Sequence, residues 1–278
     1  MKNIYITDLD HTFLRNDLSV SDYTKKIWNS YEADSIISIA TARTFKKTMQ
    51  FLQGVSINAP MILLDGALIA TKERQIVDTK FVTREIADEI IDEGGKLGIY
   101  PFVLSLLDQQ LNESFTYSHT LNNYQTEILK RYANDDHTQG FKNLRAMDDN
   151  FKIVYMADED ILIELKKRVE KIFGDELKYI LAPEAYMGCY FLTILHKDAD
   201  KAHGIQSVSE ALRFDLSRLS VFGDNLNDIG MFDLANISVA VANAHNDVKT
   251  KAKVILDHSN DEDGVARYLE GLRDGQEF

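Results

Sequence analysis

The stretch Ile4-Tyr5-Ile6-Thr7, followed at once by Asp8-Leu9-Asp10-His11-Thr12, decides the fold of this chain. The β-branched and aromatic residues of the first segment predict a short buried strand. Asp8 and Asp10 stand two residues apart, so both carboxylates point to the same side of the chain where that strand ends. Such a pair is typical either of a helix cap or Asx turn, or of a site that holds a metal ion and an anionic substrate.

The composition is that of an ordinary globular protein of 278 residues, with 45% apolar and 27% charged residues. This length suffices for two domains. Since no apolar run reaches the roughly 18 residues that a transmembrane helix needs, we expect no membrane span. The N-terminal residues lead directly into a strand, so we expect no signal peptide.

The charge and the cysteine count narrow the function class further. A formal net charge of −13 argues against binding to nucleic acid or to anionic membranes. Cys189 is the only cysteine, which excludes an internal disulfide and suggests a buried small residue in a cytoplasmic protein. The seven histidines are scattered, so no zinc site is expected. We expect a monomer or a weak homodimer.

Strand and helix signals alternate at both ends of the chain, which indicates parallel β-α-β units. The middle is less regular and reads as an insertion. We therefore expect an α/β fold with a Rossmann-like three-layer core over residues 1–79 and 185–278 and an inserted α+β cap domain over 80–184. The predicted strands of the core lie over 4–7, 35–40, 61–64, 219–222, 237–241 and 254–256.

Polar side chains follow several of these strands or begin a helix. In an open parallel sheet the carboxyl ends of the strands share one edge, where ligands bind. Carboxylates that meet there repel one another unless a cation joins them, and a hard ion such as Mg²⁺ suits oxygen ligands. A threonine hydroxyl and a lysine ammonium suit phosphate oxygens, so the set predicts phosphoryl transfer. Its members are Asp8, Asp10, Thr41, Lys201, Asp224 and Asp228.

These segments resemble, in the same order, the four motifs of the haloacid dehalogenase (HAD) superfamily of phosphatases. The first is Asp8-Leu9-Asp10-His11-Thr12, the second Thr41-Ala42-Arg43, the third contains Lys201, and the fourth is Gly223-Asp224-Asn225-Leu226-Asn227-Asp228. The resemblance covers nearly the whole core.

Two further segments resemble the Cof-type branch of this superfamily, namely Asp65-Gly66-Ala67-Leu68-Ile69 and Asn260-Asp261-Glu262-Asp263-Gly264-Val265. That branch carries a large α/β cap, of the C2 or IIB type, between the second and third motifs. The chain departs from the pattern where His11 and Ala42 replace the usual glycines and add bulk beside the phosphate. His11 is open to two interpretations, a substrate contact or an inert variant.

The resemblance implies a Mg²⁺-dependent phosphatase that acts on a small phosphorylated metabolite such as a sugar phosphate. Asp8 would attack phosphorus and Asp10 would serve as general acid and base. Mg²⁺ would be held by Asp8, Asp224 and the backbone carbonyl of Asp10, while Thr41 and Lys201 would bind the phosphoryl group. Candidates for substrate contact or a supporting role are His11, Ala42, Arg43, Asn227, Asp228 and Asn243.

Two alternatives stay open at this point. One is a phosphomutase or phosphotransferase on the same fold, which would pass the phosphoryl group to a second hydroxyl instead of water. The other is a catalytically silent binding protein. The side chains of the cap would choose the substrate, and the segment over 80–184 contains no motif that identifies it.

Overall fold

The computed structural model describes residues 2–131, 137–184 and 187–276. The strands in chain order are β1 (Asn3–Thr7), β2 (Ser35–Ile39), β3 (Met61–Leu63), β4 (Leu68–Ala70), β5 (Ile76–Thr79), β6 (Phe102–Leu106), β7 (Glu113–Ser118), β8 (Thr138–Phe141), β9 (Asn150–Ala157), β10 (Leu177–Glu184), β11 (Cys189–His196), β12 (Leu219–Gly223), β13 (Ile237–Ala240) and β14 (Val254–Ile255). The α-helices are α1 (Asp22–Asn29), α2 (Phe45–Phe51), α3 (Arg84–Lys96), α4 (Asn123–Arg131), α5 (Glu159–Phe173), α6 (Lys201–Leu212), α7 (Ile229–Leu234), α8 (Asn246–Lys249) and α9 (Gly264–Arg273).

The chain divides into two compact units. The core unit comprises Met1–Thr79 and Asp200–Phe278, and the inserted unit comprises Lys80–Ala199. The return to the core therefore lies at residue 200 and not at residue 185, where the sequence placed it. The reason is β11, which pairs in antiparallel register with β10 from Leu177 opposite His196 onward and so belongs to the sheet of the inserted unit.

The core unit contains a parallel sheet of strand order β14-β13-β12-β1-β2 with flanking helices. Thr7, the last residue of β1, pairs with Phe222 of β12 on one side and with Ile39 of β2 on the other. The three strands therefore end level with one another, and the residues that follow them lie along one edge. The predicted α/β fold with a parallel sheet is confirmed.

Aromatic contacts attach helices to one face of this sheet. The ring of Tyr5 in β1 meets Tyr31, just after α1, edge to face at 5.1 Å between centroids. Phe222 of β12 meets Tyr268 of α9 in the same way at 5.6 Å. Ile6 on the opposite face of β1 is also completely buried. Burial of side chains of this size stabilises a fold by about 1.5–3 kcal/mol each, so both faces anchor the strand whose end carries Asp8.

The strand β3 differs from its predicted place as the next strand of the parallel sheet. It pairs antiparallel with β4 in a separate sheet of order β3-β4-β5. One parallel bridge, between Ala40 and Ile62, still joins it to the chain that follows β2. The antiparallel pairing with β4 follows from a tight reversal at Leu64, Asp65 and Gly66, three successive residues with φ of 53°, 56° and 87°.

The inserted unit is built on a sheet of order β10-β11-β9-β6-β7-β8. Helices α3 and α5 pack on one face around buried residues that include Val103 and Tyr155, and α4 packs on the other face around Phe102 and Cys189. Cys189 is buried, as predicted. Among the helices that the structure describes, none combines the length and apolar character needed to cross a membrane.

Candidate active site

The ends of three neighbouring strands bring the first polar groups together. Asp8 follows β1 directly, Asp224 follows β12, and Thr41 comes two residues after β2. The backbone N–H of Asp8 donates to the carbonyl of Phe222 at 2.9 Å, which extends the pairing of β1 and β12 up to the carboxylate. One carboxylate oxygen from each of Asp8, Asp224 and Asp228 lies within 4.8 Å of the other two. Three of the predicted acids, Asp8, Asp224 and Asp228, therefore lie together at this edge.

Lys201 places an ammonium group among these acids from the first turn of α6. Its Nζ donates to Asp8 Oδ1 at 2.5 Å and to Asp228 Oδ1 at 2.6 Å, and only 1% of the residue is exposed. Burial alone lowers the pKa of Lys201, but the two carboxylates outweigh it and raise the pKa above its ordinary value. The side chain is consequently charged at neutral pH.

Asp228 orients this group of residues and is fully bonded. Its Oδ1 accepts from Lys201, while its Oδ2 accepts from the backbone N–H groups of Asp224 and Asn225 at 2.9 and 3.0 Å. Asp228 is completely buried. It therefore fixes both Lys201 and the loop that carries Asp224.

The cluster holds more negative charge than Lys201 can compensate. Burial, with further contributions from Asp228 and Asp224, raises the pKa of Asp8 well above its usual range, although Lys201 opposes the shift. Burial and Asp228 also raise the pKa of Asp224 to about 6, while a hydrogen bond from Thr12 Oγ1 at 2.9 Å opposes that shift. A divalent cation between Asp8 and Asp224 would remove this surplus.

The donor set fits Mg²⁺. The side chains of Asp8 and Asp224 offer only oxygen, which a small hard cation prefers. Each accepts a hydrogen bond at its Oδ1, Asp8 from Lys201 and Asp224 from Thr12. Asp228, by contrast, has both oxygens engaged. Asp8 and Asp224 are thus the side chains suited to hold a metal, and Asp228 supports them.

Arg43 and Asp10 form an ion pair at the rim of the cluster. The guanidinium Nε donates to Asp10 Oδ2 at 2.7 Å, and Nη2 donates to Asp10 Oδ1. The other side of the guanidinium faces the ring of Phe51, with Cζ 4.4 Å from the ring centroid. This two-pronged contact fixes the orientation of the Asp10 carboxylate. Ala42, next to Arg43, is exposed.

Thr41 is oriented to donate a hydrogen bond. Its hydroxyl oxygen accepts from the backbone N–H of Arg43 at 3.2 Å, which leaves the hydroxyl hydrogen for another acceptor. Thr41 is buried, and its own N–H donates to the carbonyl of Ile62 at 2.8 Å. The hydroxyl is therefore held where β2 ends.

The other predicted residues lie around the cluster of acids. Asn227 donates through Nδ2 to Asp65 Oδ1 at 3.1 Å. Asn243 donates through Nδ2 to the carbonyl of His11 at 2.7 Å. His11 is exposed and has a left-handed backbone with φ of 56°. These three side chains thus contact the loops that frame the acids.

Sequence reasoning missed three contributors to the site. Thr12 binds Asp224, Asp65 binds Asn227, and Asn260 donates to the carbonyl of Leu14 at 2.9 Å. Each lies in a segment that the sequence singled out. The sequence could not reveal these roles, because the hydrogen-bond partner of each residue lies far away along the chain.

Comparisons with known proteins agree with this geometry. A family model described as haloacid dehalogenase-like hydrolase matches residues 5–269. The chain is 20% identical over 266 residues to 5-amino-6-(5-phospho-D-ribitylamino)uracil phosphatase YitU of Bacillus subtilis, and the match covers 94% of each chain. A crystal structure of a Thermotoga maritima protein superposes with a TM-score of 0.79 at 23% identity, covering 97% of both chains. A sugar phosphatase of HAD subclass IIB superposes with a TM-score of 0.72 at 18% identity, covering 98% of this chain and 99% of that one.

The two structural neighbours are below 25% identity and establish the fold. The family model spans nearly the whole chain and establishes the family. The predictions of a HAD-type fold and of an enzyme of the phosphatase type in this superfamily are confirmed. The chain belongs to the haloacid dehalogenase-like hydrolases.

Proposed function

We propose that this enzyme hydrolyses a small phosphomonoester with the help of Mg²⁺ and through a phosphoaspartate on Asp8. The observation that carries the proposal is the buried ammonium of Lys201 between Asp8 and Asp228. A buried cation beside a carboxylate favours the transfer of an anionic group at that position, because it offsets the negative charge that accumulates during the transfer.

In the first step a carboxylate oxygen of Asp8 attacks phosphorus while the bond from phosphorus to the ester oxygen breaks. Asp10 gives its proton to the departing alcohol. In the second step Asp10 removes a proton from water, the water oxygen attacks phosphorus, and the bond to Asp8 breaks to regenerate the carboxylate and release phosphate. Thr41 and Lys201 donate hydrogen bonds to the transferred group in both steps.

Asp8 and Asp224 would hold Mg²⁺ together with the backbone carbonyl of Asp10. The ion supplies positive charge for the phosphate oxygens, so that an anionic nucleophile can approach an anionic ester. The raised pKa values of Asp8 and Asp224 support this assignment, since both carboxyls lack a full counter-charge from the protein. The net charge of −13 likewise makes a local cation necessary for an anionic substrate.

The substrate class we propose is a phosphate ester of a sugar or of a sugar-like polyol. Two relatives support it by name: one acts on a phosphorylated ribityl compound, and another is a sugar phosphatase. A panel of sugar phosphates, polyol phosphates and 5-amino-6-(5-phospho-D-ribitylamino)uracil, assayed with Mg²⁺ for phosphate release, tests this class. A phosphorylated second alcohol among the products would indicate phosphoryl transfer instead of hydrolysis.

The mechanism is tested by Asp8→Asn, with Asp233→Asn as the matched control. An amide cannot attack phosphorus, so Asp8→Asn should abolish phosphate release and the phosphorylated protein seen by mass spectrometry after an acid quench. Asp233 is an exposed residue of α7, and its variant should keep the activity of the native protein. Turnover by Asp8→Asn close to the native rate would exclude the proposed nucleophile.

A further inference from the structure

His11 adopts a backbone conformation that is uncommon for residues other than glycine. Its φ of 56° and ψ of 9° lie in the left-handed region, where the Cβ of any residue other than glycine is crowded. Such a conformation persists only where neighbouring groups hold it. His11 stands between Asp10 and Thr12, so its conformation sets the direction of the backbone on both sides.

Two asparagines hold His11, one by its backbone and one by its ring. Asn243 Nδ2 donates to the carbonyl of His11 at 2.7 Å, and His11 Nδ1 lies 3.2 Å from Asn16 Oδ1. Asn16 turns its amide nitrogen to the carboxylate of Asp261, which can only accept. Its oxygen therefore faces His11, and His11 Nδ1 is the donor.

Both asparagines are bonded to a third, Asn260, which is 3% exposed. The backbone N–H of Asn260 donates to Asn243 Oδ1 at 2.9 Å. Its side-chain Nδ2 is 3.2 Å from Asn16 Oδ1 and 2.9 Å from the carbonyl of Leu14. One buried residue thus fixes both groups that hold His11 and also the end of the same turn.

We propose that Asn260, acting through Asn243 and Asn16, positions the turn after the nucleophile by holding His11 in its left-handed conformation. The three asparagines are positioning residues. Their hydrogen bonds keep the histidine in the left-handed conformation. A glycine at this position would need no such support, since glycine adopts positive φ at no steric cost. It also gives a physical role to the segment around Asn260, which the proposed chemistry does not use.

The consequence for the site rests on the proposed function. The backbone carbonyl of Asp10 would bind Mg²⁺, and Thr12 Oγ1 bonds to Asp224, which would bind it as well. Both groups flank His11. If His11 left the left-handed region, the carbonyl and the hydroxyl would lose their common orientation, and metal affinity would fall as it does when supporting partners of metal ligands are removed.

The test compares Asn243→Ala and Asn260→Ala in two backgrounds, the native chain and His11→Gly. The first measurement is backbone hydrogen exchange by mass spectrometry in metal-free protein, over peptides that cover residues 9–16. With His11 present, both variants should raise exchange there about tenfold, because the turn leaves its strained conformation. With His11→Gly, the same substitutions should raise it less than about threefold.

The second measurement is Mg²⁺ affinity by titration calorimetry. Asn243→Ala should weaken it about tenfold in the native background and less than about threefold in the His11→Gly background. Asn58→Ala is the matched control, since Asn58 is also exposed and donates to backbone carbonyls of the core, those of Glu32 and Ser35 at 2.9 Å each. It should change neither quantity.

The two measurements separate the possible failures. Equal increases in exchange in both backgrounds would overturn the positioning role, whatever the metal does. A native protein that binds no Mg²⁺ would refute the proposed function, while the exchange data would still decide the role of Asn260. If Asn260→Ala does not fold, Asn243→Ala decides alone, because Asn243 is exposed and its loss disturbs no packed core.

Discussion

The guanidinium of Arg43 binds both carboxylate oxygens of Asp10 while its other side rests against the ring of Phe51. The second motif is therefore tied to the first by a side chain, in addition to the neighbouring strand ends. The planar guanidinium donates two parallel hydrogen bonds to one carboxylate, which an ammonium group cannot do. Lys is therefore not a conservative replacement for Arg43. If Asp10 moves a proton, Arg43 determines where that carboxyl points.

We expect Arg43→Lys to slow the reaction of substrates with poor leaving groups by about ten- to a hundredfold, because Asp10 loses its orientation. Asp10→Asn should cost roughly 10²–10⁴-fold, the usual contribution of general acid–base catalysis. Both losses should shrink with p-nitrophenyl phosphate, whose leaving group needs no proton. The measurement is kcat for p-nitrophenyl phosphate and for an alkyl phosphate.

The control for Arg43→Lys is Arg84→Lys, which alters an exposed ion pair with Asp148 in the inserted unit. It should leave both kcat values unchanged. Because Asp10 also serves the hydrolysis step, which both substrates share, release of the alcohol in the first turnover is measured as well. An equal loss on the two substrates there would mean that Arg43 contacts substrate and does not act through Asp10.

A second prediction concerns the buried charge of Lys201. Lys201→Met leaves Asp8 and Asp228 without their cation, and breaking a buried ion pair costs about 3–5 kcal/mol. The carboxyl of Asp8 can escape this cost by binding a proton, so its pKa, already raised by burial, rises further. A raised carboxyl pKa stabilises the folded state at low pH and loses that contribution as pH increases. Lys201→Met should therefore be much less stable at pH 8 than at pH 5.

Urea unfolding followed by the fluorescence of Trp28, the single tryptophan and a completely buried residue of the core unit, measures this difference. Lys26→Met is the control, since Lys26 is exposed on α1 and its loss should change stability by less than about 0.5 kcal/mol. A loss of stability in Lys201→Met that is independent of pH would mean that the lost ion pairs with Asp8 and Asp228 are not its cause.

A third prediction links Mg²⁺ to pH through Asp224. The pKa of this carboxyl is raised to about 6, so in metal-free protein it binds a proton that Mg²⁺ must displace. Below pH 6 the apparent affinity for Mg²⁺ should fall, approaching tenfold per pH unit for one displaced proton. The part of this pH dependence that comes from Asp224 should level off above pH 7. The stability of the metal-free protein depends on pH in the opposite direction. The contribution of Asp224 to the free energy of unfolding is greatest below the pKa of Asp224 in the unfolded chain and declines as pH rises through 6.

Titration calorimetry between pH 5 and 8, in buffers of different ionisation enthalpy, counts the displaced protons directly. Asp224→Asn should bind Mg²⁺ more weakly at pH 7.5 and show a shallower dependence on pH. A constant Mg²⁺ affinity from pH 5 to pH 7 in the native protein would remove Asp224 from the metal site.

The sequence predicts the cluster of acids well because each acid follows a strongly apolar strand, and parallel strands end at a common edge. Asp8 and Asp224 lie together for that reason alone. The pair of Arg43 with Asp10 was not predictable in the same way. It depends on the path of a loop and on the ring of Phe51, which no periodicity reports.

Two parts of the fold were not predicted from the sequence pattern, and each has an identifiable physical reason. In β7 polar and aromatic residues do alternate, but the polar Ser114, Thr116 and Ser118 take the buried positions, which is the reverse of what such an alternation predicts. The reversal after β3 places Leu64 and Asp65 at positive φ. Asp65-Gly66 is a readable sign of a turn, but a leucine at positive φ is not signalled by its residue type.

The last prediction concerns Gly66, which joins this reversal to the position of Lys201. Its φ is 87°, and a Cβ added there would lie 2.1 Å from the carbonyl oxygen of Asp200. That carbonyl accepts from the N–H of Gly204 at 3.0 Å and opens the first turn of α6. Gly66→Ala must therefore push the start of α6 away, and with it the ammonium that contacts Asp8.

Gly54→Ala distinguishes the cost of backbone strain from the cost of a steric clash. Gly54 has a similar φ of 77°, but a Cβ added there would lie 3.8 Å from its nearest neighbour, Lys25 Cδ, which is an ordinary contact. We expect Gly54→Ala to lose about 1 kcal/mol of stability and no activity, because only the left-handed backbone is penalised. Gly66→Ala should lose about 3 kcal/mol or more, since displacement of packed backbone adds to that penalty, and its kcat should drop at least tenfold. Trp28 fluorescence in urea and phosphate release measure the two effects. Equal behaviour of the two variants would mean that the contact between Gly66 and Asp200 relaxes without moving Lys201.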